Sequence, residues 1–149
     1  MPLVARRRFD AAAWAQSVID LFREASFGGL VEVELAVRPE GLLINADPEL
    51  LLQAVLNLLK NAAEAGADRA ALGIEEIADR VVILVQDNGP GIAEDVRADM
   101  FLPFFTSKPT GTGIGLSLAR QVAVAHGGTI TAANAPVGGA ILRLELWRD

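Results

Sequence analysis

The chain has 149 residues, no cysteine, one histidine (His126) and only 5% aromatics. Without cysteine there are no disulfides, no thiolate nucleophile and no thiolate-bound zinc. One histidine excludes a metal centre built from several imidazoles. No apolar run reaches the roughly 18–20 residues of a membrane span, and no signal peptide is visible. Arg6-Arg7-Arg8 has no apolar stretch behind it. Basic charge is also scarce. Thirteen Lys and Arg against nineteen Asp and Glu leave a net charge of −6 and a pI near 4.8. That balance argues against sequence-independent nucleic-acid binding, which needs a basic surface. It still allows a small anionic ligand, because backbone amides hold phosphate without a cationic side chain. The chain is 52% hydrophobic and 21% charged, enough to bury a core in one domain. The expectation is a soluble, cytoplasmic α/β domain that contacts neither nucleic acid nor membrane.

Periodicity divides the chain. Trp14, Val18, Leu21, Phe22 and Ala25 recur at helical spacing behind Asp10, predicting a helix over 10–25 that ends at Gly28-Gly29. Val31, Val33, Leu35 and Val37 alternate with Glu32 and Glu34, a half-buried strand, and Pro39-Glu40-Gly41 turns into a short strand at 42–45. Asp47-Pro48 opens a helix that runs to about Ala65 and stops at Gly66. Residues 69–77 and 81–86 read as a hairpin, 93–100 as a short helix, 114–126 as a longer one, and 129–134 with 140–147 as two last strands. Hairpins at both places imply a largely antiparallel sheet. The fold class expected is a two-layer α+β sandwich, the sheet covered on one face by about three helices.

Four groups of residues stand out. On the 47–65 helix, Asn57, Asn61 and Glu64 form a polar stripe beside the apolar Leu51, Val55, Leu58 and Ala62. An Asn carbonyl is a neutral oxygen ligand suited to Mg²⁺, and the stripe is equally a solvated face. Asp87-Asn88-Gly89-Pro90-Gly91 follows an apolar strand. It reads either as an ordinary turn or as a carboxylate with glycines that admit a ligand. Phe101, Phe104 and Phe105 crowd a loop that ends in Lys108, either packed or hinged as a lid. Gly111-Thr112-Gly113-Ile114-Gly115-Leu116 leads into a helix, presenting free amides at its positive end. It is neither a Walker A loop, lacking Lys-Ser/Thr, nor the dinucleotide fingerprint, since Leu116 stands at the third glycine.

Taken in order, Asn57-x-x-x-Asn61-Ala62-x-x-Ala65, Asp87-x-Gly89-x-Gly91-Ile92, Phe104-Phe105-Thr106-Ser107-Lys108 and Gly111-x-Gly113-x-Gly115-Leu116 resemble the N, G1, F and G2 boxes of sensor histidine kinases. The resemblance is to their catalytic ATP-binding domain, of the gyrase-related (GHKL, Bergerat-type) fold. It covers about residues 9–147, and its nitrogen-regulation and dicarboxylate-sensing branch is the nearest in motif. It implies residues 1–8 as a linker remnant and 9–149 as the ATP-binding domain, belonging to a longer protein. It implies ATP and Mg²⁺ as ligands: Asp87 on the adenine amino group, and Asn61 on the metal with Asn57 one turn earlier. Gly89, Gly91 and Ile92 lie around the base. Phe104 and Phe105 belong to a lid over 93–113. Lys108 and the Gly111, Thr112, Gly113, Ile114, Gly115 and Leu116 backbone lie at the phosphates. Asn57 and Lys108 are the implied catalytic residues.

Gyrase-like and chaperone ATPases carry Glu where Asn57 stands, as a base for water. Asn accepts no proton at neutral pH, so slow hydrolysis and transfer to another nucleophile are expected. Glu64 occupies a position that is basic in many relatives, which leaves more to Lys108. Ala140 stands where gyrase-like ATPases have a Thr near the adenine, so little is expected of the last glycine pair. The resemblance implies transfer of the γ-phosphoryl group to a histidine on a separate dimerisation and phosphoacceptor domain, and from there to a response regulator. The parent protein is then cytoplasmic or anchored in the inner membrane. His126, followed by two glycines at a helix end, reads as a structural cap and not as the acceptor. An anti-sigma-factor-type serine kinase and a non-enzymatic ATP-binding module are the alternatives.

Overall fold

A computed structural model describes residues 3–24, 31–97, 99–102 and 115–147. In chain order the elements are β1 (Arg7–Asp10), α1 (Ala11–Glu24), β2 (Glu32–Arg38), β3 (Leu43–Ala46), α2 (Pro48–Glu64), β4 (Arg69–Ile77), β5 (Arg80–Asp87), α3 (Glu94–Arg97), α4 (Gly115–Ala125), β6 (Thr129–Asn134) and β7 (Ala140–Trp147). Five strands form one sheet in the order β2-β4-β5-β7-β6, and β1 pairs with β3 in a separate two-stranded sheet. Only β2 and β4 run parallel in the large sheet; its other pairs are antiparallel. The expected two-layer sandwich is the fold that forms.

Alternation along the strands sends one set of side chains inward. Ile74, Ile83 and Leu144 lie opposite one another across β4, β5 and β7 and are fully buried. Val18 and Phe22 of α1, Leu51, Val55 and Leu58 of α2, and Val122 of α4 join them in one core. The helix caps are those the sequence predicts. Asp10 Oδ2 accepts from the Ala13 N–H at 2.8 Å, and Asp47 Oδ1 accepts from the Glu49 and Leu50 N–H groups at 3.1 Å each. Such caps stabilise a helix by about 0.5–2 kcal/mol.

One element lies outside the periodicity reading. Arg7-Arg8-Phe9-Asp10 has no apolar alternation, yet it is a strand because its backbone pairs with β3, Phe9 opposite Ile44. The Phe9 ring sits 5.8 Å from that of Trp14. The boundary expected after residue 8 falls inside this strand.

For function, the important feature is the antiparallel pair α2 and α4. At one end of the pair, Asp47 at the start of α2 is bonded to His126, just past the end of α4. Near the other end, Asn57 of α2 lies beside Gly115, the first residue of α4.

Candidate functional site

The end of β5, the central strand, places Asp87 near the C-terminal end of α2, where Gly89 meets Ala65 and Ala67. The residue is 6% exposed. Its Oδ1 accepts two backbone bonds, from Gly89 N–H at 2.9 Å and from Ala140 N–H at 3.1 Å. With Oδ1 so fixed, Oδ2 remains as a preorganised acceptor. A Cβ at Gly89 would lie 3.6 Å from the Ala65 carbonyl oxygen and 3.7 Å from the Ala67 Cβ, so the glycine turn rests on the chain leaving α2. Gly91 has φ of +86°, a backbone that glycine alone adopts without strain. Asn88 is structural: its Oδ1 accepts from the Asp68 and Arg69 N–H groups at 3.1 and 3.0 Å, closing the turn onto β4.

Further along α2 the site reaches the start of α4. A Cβ placed on Gly115 would stand 3.6 Å from Asn57 Cγ, an ordinary van der Waals contact, so the first residue of α4 lies beside the Asn57 amide. Asn57 and Asn61 are both half-buried and Glu64 is exposed. Asn57, Ala65 with Gly89, and Asp87 thus form a line along the last two turns of α2. It ends at one side in a fixed carboxylate and at the other in the N-terminus of α4, the positive end of its dipole.

Of the residues expected at a site, Asn57, Asn61, Asp87, Gly89, Gly91, Ile92, Gly115 and Leu116 fall among the described residues and lie along this line or at its ends. Phe104, Phe105, Lys108, Gly111, Thr112, Gly113 and Ile114 lie outside the described residues. Two contributors escaped sequence reasoning. The Ala140 N–H, in the glycine turn of which little was expected, holds Asp87. Asn134, at the end of β6, bonds the backbone of Ile92. A backbone donor carries no sequence signature, and Asn-Ala-Pro reads as a turn and nothing more.

The opposite end of the helix pair is closed. His126 is 1% exposed; its Nε2 accepts from the Asp47 N–H at 3.0 Å and its Nδ1 lies 2.8 Å from the Val122 carbonyl. The ring therefore carries its proton on Nδ1 and ties α4 to α2. Asp47 Oδ2 accepts from the Ala5 N–H at 2.9 Å, and Arg6 donates to the His126 carbonyl at 3.3 Å. Burial alone raises the Asp47 carboxyl, but the N–H groups of Ala5, Leu50 and Glu49 outweigh it and hold it below the usual carboxylate value.

Residues 46–149 match the family described as histidine kinase-, DNA gyrase B-, and HSP90-like ATPase. The C4-dicarboxylate transport sensor protein DctB of Rhizobium meliloti is 38% identical over 127 residues, covering 83% of this chain and 20% of that protein. The match thus spans only 17–30% of the length of such curated relatives. Among solved structures, the catalytic domain of the histidine kinase ThkA superposes with a TM-score of 0.86 at 29% identity, covering 97% of this chain and 96% of that one. The same kinase in complex with the response regulator protein TrrA gives a TM-score of 0.82 at 26% identity, covering 98% and 42%. The chain belongs to the family of histidine kinase-, DNA gyrase B- and HSP90-like ATPases.

Proposed function

We propose that the chain is the phosphoryl-donor domain of a sensor histidine kinase. It binds Mg-ATP and passes the γ-phosphoryl group to a histidine on a separate dimerisation and phosphoacceptor domain, from which a response regulator takes it. The observation that carries this reading is the buried Asp87 carboxylate, fixed through Oδ1 by two backbone N–H groups. Its second oxygen suits the exocyclic amino group of adenine, while Gly89, Gly91 and Ile92 border the base. From Ala65, beside Gly89, to Asn57 is eight residues of helix, about 12 Å, which leaves length for the sugar and phosphates. At the far end the amides of Gly115 and Leu116, preceded by Gly111, Thr112, Gly113 and Ile114, meet the phosphates at the positive end of α4.

The donor set fits magnesium, which prefers oxygen ligands and completes its shell with phosphate oxygens and water. Among the described residues no three His, Cys, Asp or Glu form a metal cluster of their own. Asn61, the residue that the resemblance places at the metal, is proposed to hold the ion, which when bound would neutralise phosphate charge. Phe104 and Phe105 are assigned to a lid, and Lys108 to the terminal phosphate. In the transfer, a nitrogen of the acceptor histidine forms a bond to the γ-phosphorus as the bond from that phosphorus to the ADP oxygen breaks. Asn57 provides no base for water, so transfer is favoured over hydrolysis.

Residues 1–8 are assigned to the connection toward the acceptor domain, with Arg7 and Arg8 entering β1, and 9–149 to ATP binding. Among the described residues no helix is long and apolar enough to cross a membrane. The proposed compartment is the cytoplasm, where ATP is available, whether or not the whole protein is anchored in the inner membrane.

A calorimetric titration of the chain with ATP, with and without Mg²⁺, followed by incubation with a matched dimerisation domain, tests the proposal. Saturable, Mg²⁺-dependent binding without rapid turnover is expected, with acid-labile phosphate appearing on the added domain. An acid-stable product identifies a serine kinase instead, binding without transfer identifies a non-enzymatic module, and no binding of ATP overturns the reading.

A further inference from the structure

Asn134 is the last residue of β6 and stands 42 positions from Ile92, yet its side-chain amide takes both backbone groups of that residue. Oδ1 accepts from the Ile92 N–H at 2.7 Å and Nδ2 donates to the Ile92 carbonyl at 2.9 Å. The amide imitates a neighbouring strand, matching one donor and one acceptor to one peptide unit on each side. Gly91, immediately before, has a backbone that calls for glycine, and a side chain there would push the Asn134 amide away. Its φ is +86°, and a Cβ there would stand 2.8 Å from Asn134 Oδ1.

Satisfying buried polar groups does not explain this arrangement. Asn134 is exposed, so water serves the Ile92 N–H and carbonyl as readily. A side chain committed to both groups of a single residue fixes a position. The same β6–β7 turn also grips the other end of the segment. The Ala140 N–H donates to Asp87 Oδ1, and Gly139 packs so closely that a Cβ on it would overlap the Asp87 carbonyl oxygen. One turn therefore holds both Asp87 and Ile92, with the ligand-bordering Gly89 and Gly91 slung between them. Ile92 itself packs half-buried against the core, which gives the held end a second anchor.

We infer that Asn134 is a positioning residue for nucleotide recognition. It acts through Ile92, presetting the Gly89–Ile92 backbone beside the Asp87 carboxylate so that base binding does not have to order this segment. The inference rests on Asp87 being the adenine acceptor.

The test is ADP titration of the 149-residue chain and of Asn134→Ala and Asn134→Asp, with amide hydrogen exchange followed at Ile92 and, as a control for the sheet, at Ile83. Asn134→Ala should weaken ADP about ten-fold, the equivalent of losing two modest hydrogen bonds. Ile92 should lose its protection while Ile83 keeps it. Asn134→Asp keeps an acceptor for the Ile92 N–H and loses the donor, and should fall between the two. ADP affinity within two-fold of the parent in Asn134→Ala overturns the inference, as does equal loss of protection at Ile83, which would make the effect one of global stability. A parent chain that takes no ADP, with Ile92 protection lost only in Asn134→Ala, overturns the adenine reading and the purpose assigned to the clamp, while leaving the clamp's geometry intact.

Discussion

The two ends of the α2–α4 pair are built on opposite plans. At the closed end, Asp47 and His126 spend every described polar group on another part of the chain: Ala5, Glu49, Leu50, Val122 and each other. At the open end, Asp87 uses one oxygen internally and leaves the other, and Asn57 has no hydrogen-bond partner among the described residues while lying beside a helix N-terminus. Both ends are rich in polar groups near helix termini, so composition does not separate them; what separates them is saturation. A buried polar network that is fully satisfied fixes structure and offers nothing to a ligand. At the open end the unspent side-chain atoms are not sealed from water, since no described side-chain N or O atom is both buried and unpartnered, so they stay within reach of a ligand. Under the proposed function, one end of the helix pair serves stability and the other recognition.

The strongest way to break that assignment is His126→Ala. It removes a fully buried ring and strands the Asp47 N–H and the Val122 carbonyl, so unfolding free energy should drop by about 2–4 kcal/mol. For a domain of this size that is roughly 5–15 °C in Tm. ATP affinity, titrated well below the new Tm, should stay within two-fold. If affinity falls alongside stability, the two ends are not independent and the division fails. Asp87→Asn is the mirror experiment. The Asn oxygen still accepts from Gly89 and Ala140, so melting should move little. ATP affinity should fall by the 1.5–3 kcal/mol typical of a hydrogen bond to a charged group, about 10- to 100-fold. Unchanged ATP affinity in calorimetry removes Asp87 from the adenine.

How much of this was legible in the sequence follows the same division. Helices, most strands and the Asp47-Pro48 cap were readable because periodicity and capping are local, decided within one or two turns. Asp87, Gly89, Gly91 and Asn57 were singled out by the order and spacing of the motifs they belong to, since taken alone the glycine turn is ordinary and the Asn stripe reads equally as a solvated face. β1 was not, since Arg7–Asp10 becomes a strand only by pairing with residues 43–46. Asn134 and Ala140 were not, since their roles consist of bonds to Ile92 and Asp87, more than forty positions away. His126 was read as a cap for α4 alone. Its second bond, to the start of α2, lies 79 positions off and has no local trace.

The smallest expected effect sharpens the comparison most, because it dissects the closed end without dismantling it. In Asp47→Asn the side-chain oxygen can still cap the Glu49 and Leu50 N–H groups, since Asn is as good a cap as Asp. The second position becomes an NH₂ facing the Ala5 N–H, donor against donor, so only the tie to the N-terminal arm is lost. Stability at pH 7 should fall by about 1 kcal/mol. The pH dependence supplies an independent signature. The folded Asp47 carboxyl lies below its ordinary value, so its contribution is complete above the unfolded pKa near 4 and disappears as pH falls through the folded value. Denaturant unfolding followed from pH 7 into acid should therefore show a shallower decline in Asp47→Asn than in the parent, the two curves converging at the acid end. Parallel curves would mean that the carboxylate's charge adds nothing and that the arm is held by β1–β3 pairing and the Arg6 bond to the His126 carbonyl. In either case ATP affinity should not move, because the arm is tied at the end of the helix pair that recognition does not use.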